Sequence, residues 1–255
     1  MGPAGGSDKS QLIYGLHAVR EALRGGTRPL IRLLVTRQDR QMTDVVKLAR
    51  AAGVPVHVEP PAALDRLVPD GRHQGIVGLI ASKPYTEPDD ILKYAQQQGE
   101  PPLLLILDGI EDPHNLGAIL RTAEAAGVHG VFLPERRSAG LTGSVAKASA
   151  GALEYLRVSR VPNISRLIEQ LQAENIWVYA LDPQATKPYT TLDFKGAIAL
   201  VLGGEGAGVR AGVLAHCDER VGIPMTGRVE SLNVSVAAGV VLFEALRQRL
   251  VKSKP

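Results

Sequence analysis

Three stretches of the chain set hydrogen-bonding or charged side chains beside glycines and apolar runs. The first, LDGIEDPHNLGAILRTAEAAG, brings Asn115, Gly117 and Arg121 together at the opening of a helical pattern. Asn115 suits an N-cap, where a short polar side chain accepts from an orphan backbone N–H. Arg121 lies one turn beyond Gly117, and helical side chains lean toward the N-terminus. Its guanidinium can therefore fold back over the bare glycine toward Asn115 and meet a phosphate or a hydroxyl. The plainer reading has Asn115 only capping and Arg121 paired with Glu124 on a solvated face. His114 reads as a turn residue, because no second histidine stands at metal-ligand spacing.

The second stretch is ALVLGGEGAGV, a buried strand running into Gly203, Gly204, Glu205, Gly206 and Gly208. Such glycines let backbone approach a ligand closely. The spacing is not the dinucleotide fingerprint, since Val209 stands where the last glycine belongs, and no G-K-[ST] follows. Glu205 would repel a phosphate, so the loop suits a phosphate-free ligand read by backbone amides and carbonyls. The third stretch, IPMTGRVESLNVS, joins a strand to the closing helix. Ser231 or Asn233 can cap that helix, with Ser235 in its first turn, and capping alone would explain them. No G-x-S-x-G elbow surrounds any serine, which argues against a serine hydrolase. Cys217 has no reactive neighbour in sequence and reads as structural.

The elements that must position these residues alternate between strand and helix. Gly15–Arg24 reads as a helix, Ile31–Arg37 as a strand, MTDVVKLARAAG as a helix, VPVHVEP as a strand, PAALDRLV as a short helix and Gly75–Ser82 as a strand. KPYTEPDDILKYAQQQGEPP then reads as a connector with a possible helix in its middle. A second series follows, with strands at LLLILDGI, GVFLPE, YLRVSRV, IWVYALD, AIALVLGG and RVGIP. Helices at Leu116–Ala126, Thr142–Ala150, Ile164–Glu174 and from about Leu232 separate most of them. Strands apolar on both faces predict a largely parallel sheet covered by helices, with ligands beyond the carboxyl ends of the strands. The expected division is a leader over 1–10, a first domain over 11–82, a linker over 83–101 and a second domain over 102–250.

The chain has 255 residues, 45% of them hydrophobic and 22% charged, with a net charge of +3. That is the balance of a globular protein, with a mild basic excess that permits an anionic partner without demanding one. A single cysteine rules out an intrachain disulfide or a cysteine metal cluster and suggests a reducing compartment. MGPAGGSDKS lacks the apolar core of a signal peptide and reads as a frayed leader; no apolar run would span a bilayer. The expected location is the cytoplasm.

Taken in order, NLGAILR (Asn115 to Arg121), LGGEGAG (Leu202 to Gly208) and IPMTGRVESLNVSVA (Ile223 to Ala237) resemble the motifs of the SPOUT methyltransferases, in the TrmH branch of RNA ribose 2′-O-methyltransferases. IYGLHAVREAL (Ile13 to Leu23) and HQGIV (His73 to Val77) are similar to that branch's small N-terminal RNA-binding domain, of L30e-like α/β fold. The resemblance implies a mostly parallel α/β catalytic domain with a C-terminal trefoil knot, a homodimer formed through it, and S-adenosyl-L-methionine (SAM) as cofactor. It implies Asn115, Arg121, Glu205, Ser231 and Asn233 as catalytic residues, and Gly203, Gly204, Gly206, Ile223, Met225 and Leu232 around the cofactor. The two-domain layout is similar to enzymes that methylate a guanosine ribose in the peptidyl-transferase loop of 23S rRNA.

SAM carries an electrophilic methyl, so the protein must align a ribose 2′-OH and ease removal of its proton. The family's candidate base is Arg121, but a guanidinium rarely deprotonates. A cationic Arg121 that clamps a flanking phosphate and steadies a developing alkoxide fits its chemistry better. Glu205 orients rather than abstracts. Candidate RNA contacts on the first domain are His17, Arg20 and Arg32, with Arg28 and Arg37 nearby; scattered arginines are also ordinary surface. Looped or single-stranded RNA is the expected target, because its 2′-OH can be splayed into a pocket. The competing functions are 2′-O-methylation of tRNA, non-catalytic RNA binding, and a nucleotide-dependent oxidoreductase, the last disfavoured by the missing glycine fingerprint.

Overall fold

The structure is a computed structural model whose described residues are 10–36, 40–69 and 72–251. Residues 1–9 of the expected leader and Arg37 lie outside them. Along the chain run β1 (Ser10–Tyr14), α1 (Leu16–Gly25), β2 (Leu30–Val35), α2 (Arg40–Ala51), β3 (Val56–Val58), α3 (Pro61–Leu67) and β4 (Ile76–Ala81). Then come α4 (Pro88–Gln97), β5 (Leu103–Asp108), α5 (Pro113–Ala125), β6 (Gly130–Pro134), α6 (Gly143–Ala148) and β7 (Val158–Val161). The chain closes with α7 (Ile164–Ala173), β8 (Trp177–Leu181), β9 (Ile198–Gly203), α8 (Ala211–Leu214), β10 (Glu219–Val221) and α9 (Val234–Leu250).

These elements form two compact units. The first holds residues up to Pro84 together with Gly140–Tyr155. Its sheet runs β1-β4-β2-β3, antiparallel except for the β2–β3 pair. Ser10 starts β1, so the expected leader is one residue too long at its end. The HQG motif has a structural explanation. Gly15 precedes α1 and has no side chain to cap it, and Gln74 Oε1 accepts from the Leu16 N–H at 3.0 Å instead. His73 accepts from the Gly75 N–H through Nδ1 at 2.9 Å and sets Nε2 3.0 Å from Asp65.

The segment 140–155 packs into this unit through α6 on β1, where Gly143 abuts the Leu12 carbonyl, and through a buried ion pair. Arg28 bonds Glu154 at 3.0 Å through Nε and at 2.6 Å through Nη2, and its Nη1 reaches the Ala81 carbonyl at 3.0 Å. Arg28 is 4% exposed and Glu154 1%. Arg28 is therefore withdrawn from the expected RNA contacts. The expected domain limits change as well, since 140–155 leaves the span 102–250 to pack with the first unit.

The second unit comprises 85–139 and 156–255. Its sheet is parallel throughout, in the order β10-β8-β9-β5-β6-β7. β5 is buried along its whole length, as a strand covered on both faces must be. The expected linker contains α4, started by Pro88 with Asp89 and Asp90 in its first turn, where acids favour the helix dipole. Its Ile91 and Ala95 join the core around Ile106, Phe132 and Val201. Packing thus makes most of 85–101 part of this unit.

The chain runs β5, β6, β7 toward one edge and then returns to build β8, β9 and β10 on the other side. Connections diverge between β5 and β9, whose ends meet with Asp108 opposite Gly203. Such a divergence opens a crevice where ligands bind in parallel sheets. α9 packs against α5 and β9. Its Arg249 pins the far end of the helix through four carbonyls: Phe194 (2.9 Å), Pro101 (2.6 Å), Pro102 (3.1 Å) and Gly196 (2.8 Å). No helix among the described residues is long and apolar enough to cross a membrane.

Candidate active site

Three loops meet at the crevice, one after each of β5, β9 and β10. The β5 loop leads into α5, and its cap differs from the sequence expectation. Asp112 is the N-cap, accepting from the N–H groups of His114 (3.0 Å) and Asn115 (3.2 Å), and Pro113 holds the first helical position. Asn115 lies inside the first turn, which frees its amide. That amide donates to Glu205 Oε1 at 3.0 Å.

The β9 loop is folded tightly on itself. A Cβ on Gly203 would stand 1.9 Å from the Gly208 carbonyl carbon, and one on Gly204 would stand 2.1 Å from the Gly109 oxygen. Gly204 N–H donates to the Asp108 carbonyl at 2.9 Å, and Gly208 N–H donates to the Gly204 carbonyl at 3.0 Å. Glycine is required at 203 and 204 by contact, and this closure presents Glu205 at the tip.

Asn233 delivers the third loop and does two jobs. Its Oδ1 caps α9, accepting from Ser235 N–H at 2.9 Å and from Ser235 Oγ–H at 2.6 Å. Its Nδ2 donates to Glu205 Oε1 at 2.6 Å and to Asn115 Oδ1 at 3.0 Å. Residues separated by 118 and 28 positions thus close a ring of three polar side chains. The orientation of every amide is fixed by what it faces.

Two cavities meet at Glu205, with Asn233 on the lining of the first and Asn115 on that of the second. The first, of about 290 Å³, is lined by Leu181, Leu202 and Ala237 and by the Gly203–Gly204 backbone. Gly206, Ile223, Met225, Ser231 and Leu232 complete it, so the six expected cofactor positions and Ser231 share one wall. Apolar side chains beside exposed glycine backbone fit a flat heterocycle, while Glu205 and Glu230 on the same lining suit a ligand with positive charge. SAM, with an adenine at one end and a sulfonium and an ammonium at the other, fits this donor set.

The second cavity, of about 350 Å³, lies across Glu205 and includes Asn115, Glu111, Arg137 and Arg210. Arg210 is taken up by Asp108 through contacts of 2.7–3.1 Å, and the Asp108 carboxylate is fully buried. Sequence reading missed Asp108 and Arg210, as well as Arg137. A buried aspartate at the end of an otherwise apolar strand was the available signal.

Arg121 is exposed and lines neither cavity. Among the described residues it makes no hydrogen bond or ion pair, so neither the fold-back onto Asn115 nor the pair with Glu124 forms. Cys217 is half-buried, and burial first, then Asp218, pushes its thiol up to about 12, which leaves it inert. On the first unit His17 and Arg32 are exposed, while Arg20 is tied to His17 Nδ1 at 2.6 Å and lies 3.5 Å from Glu21.

Comparison with known proteins agrees with this geometry. Residues 102–243 match the SpoU rRNA Methylase family, and residues 12–86 match a family described as RNA 2′-O ribose methyltransferase substrate binding. The 23S rRNA (guanosine-2′-O-)-methyltransferase RlmB of Ralstonia nicotianae is 45% identical over 246 residues, spanning 95% of this chain and 98% of its own. RlmB of Pectobacterium atrosepticum is 43% identical over 243 residues, 94% of this chain and 99% of its own. The crystal structure of the SpoU methyltransferase AviRb from Streptomyces viridochromogenes, in complex with AdoMet, matches with a TM-score of 0.79. It is 25% identical and covers 95% of this chain and 92% of that one.

Proposed function

The chain belongs to the SpoU methylase family of RNA ribose 2′-O-methyltransferases, and from that premise we propose that its acceptor is a guanosine ribose in 23S rRNA, within the peptidyl-transferase loop. It is a SAM-dependent enzyme. When bound, SAM supplies an electrophilic methyl. The protein's task is to present a 2′-oxygen in line with that methyl and to ease loss of its proton.

The observation that carries the reading is the Asn115–Glu205–Asn233 ring, whose Glu205 lines both cavities. A group held in the cofactor cavity and one held beside Asn115 would meet over Glu205. Both amides donate to Glu205 Oε1, so its other oxygen, without a partner among the described residues, accepts the 2′-O–H and orients it. Ser231, on the cofactor wall without a partner among the described residues, adds a further donor or acceptor.

Arg121 stands apart from this wall, so its part is that of a cation reaching the RNA backbone. In the same reading the loops around 203–208 and 223–233 thread as a trefoil knot. The half-exposed Val236 and Phe243 on α9 support a homodimer face on the catalytic unit. His17, Arg20 and Arg32 of the first unit contact RNA, and the enzyme acts in the cytoplasm.

The test is calorimetric SAM binding together with tritium transfer from labelled SAM to 23S rRNA and to tRNA. Transfer to 23S rRNA, lost at one 2′-O-methyl site in cells lacking the gene, is the expected result. Transfer to tRNA alone would overturn the rRNA assignment.

A further inference from the structure

The cavity across Glu205 from the cofactor wall contains an imbalance that the methyl-transfer chemistry leaves unused. Of its charged side chains, Asp108 and Arg210 neutralise each other, and Asp112 spends both oxygens on the start of α5. Glu205 holds Asn115 and Asn233. That leaves Arg137 and Glu111, exposed and without a hydrogen bond or ion pair among the described residues.

Arg137 is moreover held where arginine does not rest by choice. Its φ is +58°, in the left-handed region. The loop is held on either side: before it Glu135 N–H donates to the Val161 carbonyl at 3.0 Å, and after it Ser138 Oγ–H donates to the Pro134 carbonyl at 2.6 Å and Ala139 N–H to the Ile110 carbonyl at 2.8 Å. A strained backbone pinned on both flanks beside a reaction centre is a usual mark of an aimed side chain.

We propose that Arg137 and Glu111 form a guanine-reading pocket for the base of the methyl-accepting nucleotide. Guanine carries two acceptors, O6 and N7, that match a guanidinium fork. Its Watson–Crick edge also offers N1–H and N2–H, two donors that match one carboxylate. Adenine reverses the O6 acceptor into an amine and loses both donors. The uncompensated cation and carboxylate of this cavity are complementary to guanine and mismatched to the other purine. The unpaired Glu111 also makes the cavity a poor seat for a phosphate. This inference rests on the guanosine reading above and names the residues that would enforce it.

The experiment compares kcat/KM on one synthetic 23S rRNA stem-loop with guanosine, inosine or adenosine at the acceptor position. The variants are Arg137→Gly, Arg137→Lys and Glu111→Gln. Arg137→Gly removes the guanidinium and relieves the positive φ, so folding is preserved, as an unchanged SAM affinity will report. The wild type is expected to favour guanosine over adenosine by 10²-fold or more, in the range of about 10⁴–10⁵ at most for a site built on hydrogen bonds. Arg137→Gly and Arg137→Lys should both collapse that ratio to below about tenfold, because an ammonium lacks the fork. Glu111→Gln should erase the preference for guanosine over inosine, which lacks the N2 amine.

Equal losses on guanosine and adenosine, rescued by lysine, would mean a phosphate contact and would overturn the proposal. So would a guanosine preference that survives Arg137→Gly. A wild type that methylates this RNA without regard to base would sink the guanosine reading itself, which separates the two failures.

Discussion

Asn233→Asp separates the two jobs of one side chain. Aspartate keeps an oxygen where Oδ1 caps α9, and a negative charge at a helix N-terminus is favourable, so α9 should be unaffected. The other oxygen replaces the Nδ2 donor, 2.6 Å from Glu205 Oε1 and 3.0 Å from Asn115 Oδ1. Repulsion at that separation is about 1.6 kcal/mol in bulk water and about 6 kcal/mol at the effective dielectric of a protein surface. All three residues are at least partly exposed, so the lower figure governs. Two lost hydrogen bonds, one to a charge, bring the total to about 4 kcal/mol, or roughly 10³-fold in rate if that order is needed in the transition state.

The pH dependence makes the prediction specific. Two carboxylates so close retain a shared proton to above the usual carboxylate range. As the pH falls from 8 toward 6, the shared proton restores an O–H···O bond in place of the lost amide. The ratio of variant to wild-type methyl transfer should therefore rise. The assay is single-turnover tritium transfer across that range, with the α9 amides followed by hydrogen exchange. Wild-type transfer at pH 8 would show that the ring is not needed for the reaction. A loss independent of pH, with faster exchange in α9, would show that only the cap had been damaged.

Three further outcomes follow from the same structure. Glu154→Ala strands the Arg28 guanidinium and should cost the first unit about 3–5 kcal/mol in urea unfolding, whereas Arg28→Met with Glu154→Leu should recover most of it; equal stability of the two variants would refute the pairing. Arg121→Lys should lower transfer by about 10²-fold with SAM affinity unchanged, because an ammonium lacks the planar fork; near-normal turnover would remove both the clamp and the base role. His129 is lowered by burial, chiefly, with Glu100 opposing, and its Nδ1 accepts from Leu103 N–H at 2.9 Å. Being neutral in the fold and more readily protonated when unfolded, it should make the second unit lose stability as pH falls below about 6.5, and His129→Asn should flatten that slope in thermal melts.

The catalytic sheet was legible in the sequence because its strands are apolar on both faces and alternate with helices, the pattern of a covered parallel sheet. The glycine loop was legible too, although the reason became clear only when Gly203 proved to abut Gly208. What escaped was decided by distant partners. Arg28 looks like any surface arginine until Glu154, 126 positions away, buries it. β1 is only five residues long, and its pairing with β4 lies far along the chain. The α5 cap was misplaced for a local reason: Asp112 before Pro113 is the stronger start signal than Asn115.

That misplacement bears on the chemistry. Had Asn115 been the cap, its oxygen would have been shared between the α5 backbone and the amide of Asn233. With Asp112 accepting from the backbone N–H groups of His114 and Asn115, the Asn115 side chain is left free for the ring. Asn233 has no such substitute and must cap and donate at once, through different atoms. The ring therefore depends on α9 being formed, and the start of α9 depends on the residue that completes the ring. Glu205 sits where both dependencies end, on a loop that no side chain larger than hydrogen permits at its base. The ring can thus be assembled only when β5, β9 and α9 are all in place, which couples its order to the folding of the second unit.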